Sequence, residues 1–207
     1  MDYQKIIRWS GLLNLIVCAL FVIWWGLMGI IVISSGTFNI STLDLVKLNG
    51  YQIQSIIGLI ACVIAPFGIM GLYLPFVNRL GKNGLFGFLL SCIGIILYGC
   101  MQYDETFTWP ILANKSPALL GTEGLMSDPA YLSIFIIMGI ILALGMVLFG
   151  IALWQANIFP RWSVICFVIG AILFGIGFGI MIRTLGLIIW IIGWGRMGYL
   201  LWKGKVV

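Results

Sequence analysis

The sequence predicts an all-α integral membrane protein: six transmembrane helices in one polytopic domain spanning residues 1–207. Three observations predict it. Of the 207 residues, 62% are hydrophobic and only 8% charged, whereas a water-soluble domain carries about a quarter charged residues. Apolar runs close to the length that crosses a bilayer, about 20 residues, recur from end to end. The basic residues then divide unequally between alternate connections, as the positive-inside rule requires.

Gly11 to Ile33 is the first predicted span. It is longer than the core of a signal peptide, and no small-residue cleavage site closes it, so it is expected to be retained. Ser34-Ser35-Gly36 ends it. In the connection that follows, Ser41-Thr42-Leu43-Asp44 has capping-box spacing and predicts a short helix, stopped at Asn49-Gly50. The second span runs from Ile53 to Leu74, where Pro75 ends it. Pro66 inside this span predicts a kink, because proline removes one backbone bond and crowds the carbonyl of Cys62. A link from Phe76 to Gly84 carries Arg79 and Lys82 and leads into the third span, Leu85 to Met101.

Tyr103 to Tyr131 is the long connection, and it holds Asp104, Glu105, Glu123 and Asp128. Pro110 and Pro117 suit first helical positions, with Ser116 as a cap for the second and Gly121 as its stop. Trp109, Ile111, Leu112, Leu119, Leu120, Leu125 and Met126 supply an apolar side. The pattern predicts short interfacial helices capping the outer end of the bundle, and either a lid or a plain connector fits it. Asp128-Pro129 predicts an N-cap and first helical position for the fourth span, Leu132 to Trp154. The last run, Trp162 to Trp202, would be about twice the hydrocarbon thickness as one helix. It must turn, and Arg183-Thr184-Leu185-Gly186 is the only polar place for the turn, which gives spans at 162–182 and 185–202.

With the N-terminus inside, the cytoplasmic side receives Lys5, Arg8, Arg79, Lys82, Arg161, Arg196, Lys203 and Lys205. The other side receives Lys47, Lys115 and Arg183. Tyr51, Tyr103 and Tyr131 mark the outer boundary, and Trp9, Trp154, Trp162 and Trp202 the inner one. Both termini are expected inside, in a cytoplasmic membrane. An ungapped superposition aligns Gly71 with Gly150, Asn78 with Asn157 and Lys82 with Arg161, which reads as a parallel repeat of two hairpins.

Several function classes are set aside by composition. The net charge is +5, but the basic residues are scattered and form no stripe for a phosphate backbone, so nucleic acid is not an expected partner. The sequence contains no histidine, the commonest zinc ligand and general base. Cys18, Cys62, Cys92, Cys100 and Cys166 all fall in apolar runs without C-x-x-C spacing, as small packing residues do. No Walker loop, H-E-x-x-H or G-x-S-x-G occurs. No catalytic residue, metal or cofactor is expected. No carboxylate lies near the bilayer middle, where an ion-coupled transporter places one.

The remaining ionisable residues are the site candidates. Arg183, against the charge rule, shares its depth with Asp104 and Glu105, which predicts a salt bridge or a site for a charged solute; Trp109 joins them as a ligand candidate. Arg196 lies about two turns inside the last span, where it is expected to snorkel or to bind a lipid phosphate with Lys203 or Arg161. Asn14 is expected to bond a neighbouring helix, and Gln52 and Gln54 to lie at the interface. Gly175-Ile-Gly177-Phe-Gly179 and the Ala61–Ala65 pair predict close helix approach, within the chain or in a homodimer seam. Asn39-Ile40-Ser41 and Asn114-Lys115-Ser116 match the glycosylation triplet and are read as ordinary loop residues.

Three stretches carry a family likeness: Tyr103-Asp104-Glu105-Thr106-Phe107 with Pro110-Ile111-Leu112-Ala113 and Pro117-Ala118-Leu119-Leu120; Pro160-Arg161-Trp162; and Gly198-Tyr199-Leu200-Leu201-Trp202. Together they resemble small six-span bacterial membrane proteins that have no assigned activity. The resemblance implies a bacterial cytoplasmic membrane and no mechanism. The functional reading is a non-catalytic protein that acts by binding. It would be a subunit of a membrane complex, or a receptor for a lipid or apolar ligand beneath the outer cap. A channel or carrier for a small uncharged or hydrophobic solute is the alternative, and an intramembrane lipid-modifying enzyme the third.

Overall fold

The computed structural model describes residues 3–36, 40–121, 124–176 and 179–206; Asp2, Asn39, Gly177 and Glu123 lie outside them. Every regular element among the described residues is helical. The helices are α1 (Tyr3–Ser34), α2 (Thr42–Val46), α3 (Tyr51–Tyr73), α4 (Val77–Tyr103), α5 (Trp109–Lys115), α6 (Pro129–Gln155), α7 (Arg161–Ile176) and α8 (Ile180–Trp202). Four helical stretches are long and apolar enough to cross a membrane: Gln4–Ser34, Tyr51–Lys115, Pro129–Gln155 and Ile180–Trp202. The second contains both α3 and α4, joined by a 3-10 turn at Leu74–Phe76. α7 is apolar but shorter, with 16 residues.

The long helices form a ring in chain order, α1, α3, α4, α6, α7, α8, and α8 closes against α1. Neighbours run antiparallel. Between α3 and α4, Tyr73 stacks on Phe88 with ring centroids 4.7 Å apart, while towards the other end Gly99 faces Cys62. Between α4 and α6, Gly87 meets Phe149 and Gly94 meets Leu142; between α7 and α8, Gly170 meets Trp190 and Gly186 meets Phe174. Glycine makes these seams. A Cβ at Gly94 would come 2.6 Å from the Cα of Leu142, and one at Gly186 2.5 Å from the backbone nitrogen of Phe174. Lipid tails are as apolar as leucine, so close backbone approach has to supply the attraction between helices.

Aromatic rings fill the middle of the ring: Trp190, Trp194, Phe149, Phe167 and Phe174 are all fully buried. The outside is apolar as well, with Ile33 70%, Ile30 65% and Val63 60% exposed. A water-soluble fold does not leave such a continuous apolar coat; lipid around the ring accounts for it. The long axis thus has a capped end, carrying α2 and α5, and an opposite end, carrying the links at 74–76 and 156–160. At that opposite end Arg79 Nη2 donates to the carbonyl of Ala156 at 3.0 Å, tying the two links together.

Several boundaries differ from the expectation. The last reversal does not use Arg183-Thr184-Leu185-Gly186: α7 ends at Ile176 and α8 begins at Ile180, so these residues lie in the first two turns of α8. Gly179, at φ 87°, provides a left-handed backbone that needs no polar side chain. The link expected at Phe76–Gly84 is mostly helix, interrupted by Gly81 at φ 59°. Beyond Met101, where the third expected span ends, the chain stays helical to Lys115, because nothing in Tyr103–Trp109 breaks it. Pro66 lies in the interior of α3. The two hairpins of the aligned repeat differ at their links, where Asn157 has φ 50° while Asn78 lies inside α4.

Candidate functional site

The capped end is built by local signals. Ser41 caps α2, its hydroxyl accepting from the backbone N–H of Asp44 at 3.1 Å and donating to that carboxylate at 2.6 Å. Asp128 caps α6, accepting from Ala130 at 2.8 Å and Tyr131 at 3.2 Å. Pro117 opens a 3-10 turn that Gly121 closes, but the Ser116 side chain makes no cap bond. These pieces meet in a small second core of Val46, Tyr51, Trp109, Ala113 and Leu120. Trp109, a ligand candidate by sequence, is only 6% exposed and holds this cap together. Ile111 and Leu119 point outward.

Beneath the cap lies a buried polar cluster. Helix α4 passes into a π-helical segment, Asp104–Thr108, a conformation frequent at functional sites. It brings Gln102 Nε2 to the Glu105 carboxylate at 2.8 Å, and Thr106 Oγ1 donates to the Gln102 carbonyl at 2.6 Å. Facing them on α3 are Gln54, Ser55 and Gly58, all buried. Gly58 matters for space: a Cβ there would overlap both Gln102 Oε1 and the indole nitrogen of Trp24 on α1. Three buried polar atoms in this cluster have no hydrogen-bond partner: Trp24 Nε1, Gln54 Nε2 and Gln102 Oε1. Leaving each one unmet costs about 1–3 kcal/mol.

Glu105 is half-buried at the edge of this cluster. The expected salt bridge from Arg183 to Asp104 or Glu105 is absent. Its guanidinium instead bonds the hydroxyl of Tyr98 and, at 3.3 Å, the carbonyl of Phe174. It also lies over the rings of Phe135 (4.7 Å), Phe174 (5.7 Å) and Tyr98 (5.8 Å). Tyr98 lies on α4 ahead of the π segment and is the α4 side chain that takes the guanidinium's hydrogen bond. Asp104 takes a bond from Thr108 at 3.1 Å and borders an apolar groove.

That groove, about 640 Å³, runs between α3 and α4, with Cys62, Pro66, Phe67 and Gly99 along it and Tyr103 and Asp104 at one end. At the opposite end of the bundle, Arg196 and Lys203 lie over the same ring, Tyr199, at 5.6 and 5.9 Å. Arg161 is apart from them, over Trp154 at 5.3 Å. Asn14 accepts the indole N–H of Trp194 and donates to the Ser10 carbonyl at 2.7 Å, so it bonds a neighbouring helix. Gln52 is exposed, whereas Gln54 is completely buried. Gly175 packs against Gly139 within the chain.

The sequence reading missed Trp24, Gln102, Thr106 and Tyr98. The signal available was the placement of Gln54-Ser55 and Gln102 just inside apolar runs, where a polar side chain needs a partner. No family model, curated protein or solved structure matches this chain.

Proposed function

We propose that the chain is a six-span protein of the cytoplasmic membrane, with both termini cytoplasmic, that acts by binding and not by catalysis. Its ligand is a lipid or other largely apolar molecule with a hydrogen-bonding head, received beneath the outer cap. Six spans are supported by the antiparallel ring, in which α3 and α4 are each of membrane length. α7 rises about 24 Å, less than the roughly 30 Å hydrocarbon core, a mismatch that local bilayer thinning absorbs. The uneven division of lysine and arginine supports the orientation.

One observation carries the binding reading: Trp24 Nε1, Gln54 Nε2 and Gln102 Oε1 are buried together without partners. A hydroxyl or amide head, able both to accept and to donate, satisfies them. The apolar groove between α3 and α4 offers a place for a tail on the lipid side of the same seam. Native mass spectrometry of the protein released from membranes tests the reading. The expected result is a bound small molecule of defined mass, diminished by Gln102→Leu and by Trp24→Phe. Release of the bare chain, or of the chain with a protein partner alone, contradicts it.

A further inference from the structure

At the capped end, α7 stops at Ile176 while α6 and α8 flank a gap beside α1. The gap is a groove of about 440 Å³, walled by Trp25 and Met28 of α1, Phe135 and Ile136 of α6, Ile176 of α7 and Ile180 of α8. One side chain in its wall is charged, Arg183. Phe174 packs against both Trp24, which belongs to the polar cluster under the cap, and Trp25, which walls this groove, with ring centroids 6.3 and 5.6 Å apart.

Arg183 is tethered but not neutralised. The Phe174 carbonyl and the Tyr98 hydroxyl take two of the five N–H groups of its guanidinium. Both bonds are made from Nε and Nη2, which leaves both hydrogens of Nη1 and one of Nη2 without an acceptor among the described residues. Three aromatic rings surround the group, and no carboxylate among the described residues pairs with it. A cation in an apolar wall attracts an anion more strongly than it would in water, and paired N–H groups match the two oxygens of a carboxylate.

We propose that the groove bordered by Arg183 binds a single-chain amphiphile with a carboxylate head, such as a long-chain fatty acid drawn from the bilayer. The head meets the free edge of the guanidinium, and the chain lies along the apolar wall. The volume is within the range of small-molecule pockets, roughly 300–1,000 Å³, and too small for the body of a two-chain phospholipid.

The test uses the full chain in neutral phosphatidylcholine nanodiscs, titrated with ionised oleate and with oleyl alcohol, and read by native mass spectrometry. Oleate should bind at least tenfold more tightly than the alcohol. Arg183→Gln should remove that preference, and Arg183→Lys should keep part of it. Equal affinity for oleate and alcohol in the parent protein overturns the proposal, as does unchanged oleate binding by Arg183→Gln. If Arg183→Gln fails to fold, Ile136→Trp decides: it fills the groove and keeps the guanidinium, so it should abolish oleate binding, and retained binding overturns the proposal.

Discussion

Arg183 of α8 donates a hydrogen bond to the hydroxyl of Tyr98 on α4, and these two helices stand opposite one another in the ring. The bond crosses the interior instead of a seam between neighbours, so it fixes the width of the bundle at its capped end. A hydrogen bond to a charged group contributes about 1.5–3 kcal/mol. Tyr98→Phe and Arg183→Gln should therefore be non-additive in a double-mutant cycle. Arg183→Gln combined with Asp104→Asn should be nearly additive. Equilibrium unfolding in mixed micelles measures both.

Gly58 should tolerate no side chain. A Cβ at this position would overlap Gln102 and Trp24, whereas one at Gly26 meets nothing within 4 Å. Overpacking of this kind costs about 1–3 kcal/mol. Gly58→Ala should lower the melting temperature and weaken ligand retention, while Gly26→Ala should leave both unchanged or slightly raise the first. Thermal melts of the two purified variants compare them directly.

Much of this architecture was readable from local chemistry. Ser41 and Asp128 cap helices as their spacing implied, because a cap depends on residues a few positions apart. The final reversal was not readable. Polar residues at Arg183–Gly186 suggest the turn, yet they lie inside α8, which begins at Ile180, and Gly186 instead lets α8 approach Phe174. Backbone freedom, unlike polarity, leaves the same mark whether glycine turns a chain or packs a seam. The site was hidden for a related reason. Gln54 and Gln102 sit near predicted span ends, where polarity suggests an interface, but the cap covers that end and buries them. Arg183 invited pairing with a carboxylate by charge alone; its contact with Tyr98 depends on which helices face each other across the ring.

Asn14 joins α1 to α8 through Trp194, with both residues fully buried. Asn14→Leu would leave the indole N–H unmet in an apolar interior. A loss of about 0.6 kcal/mol, and at most about 1.7 kcal/mol, is expected, the average and upper value for hydrogen bonds between membrane helices. Trp194→Phe should cost less in the Asn14→Leu background than in the parent, and unfolding free energies of the four proteins decide it.

The central claim is a six-span bundle whose capped end faces out of the cell. Cysteines introduced singly at Asn114, in the cap, and at Gln155, at the opposite end, can be probed in intact cells with a membrane-impermeant maleimide, with the parent chain as blank. The account predicts that Asn114→Cys reacts in intact cells, while Gln155→Cys reacts only after the cells are opened. The reverse pattern, or reaction of both in intact cells, would contradict it.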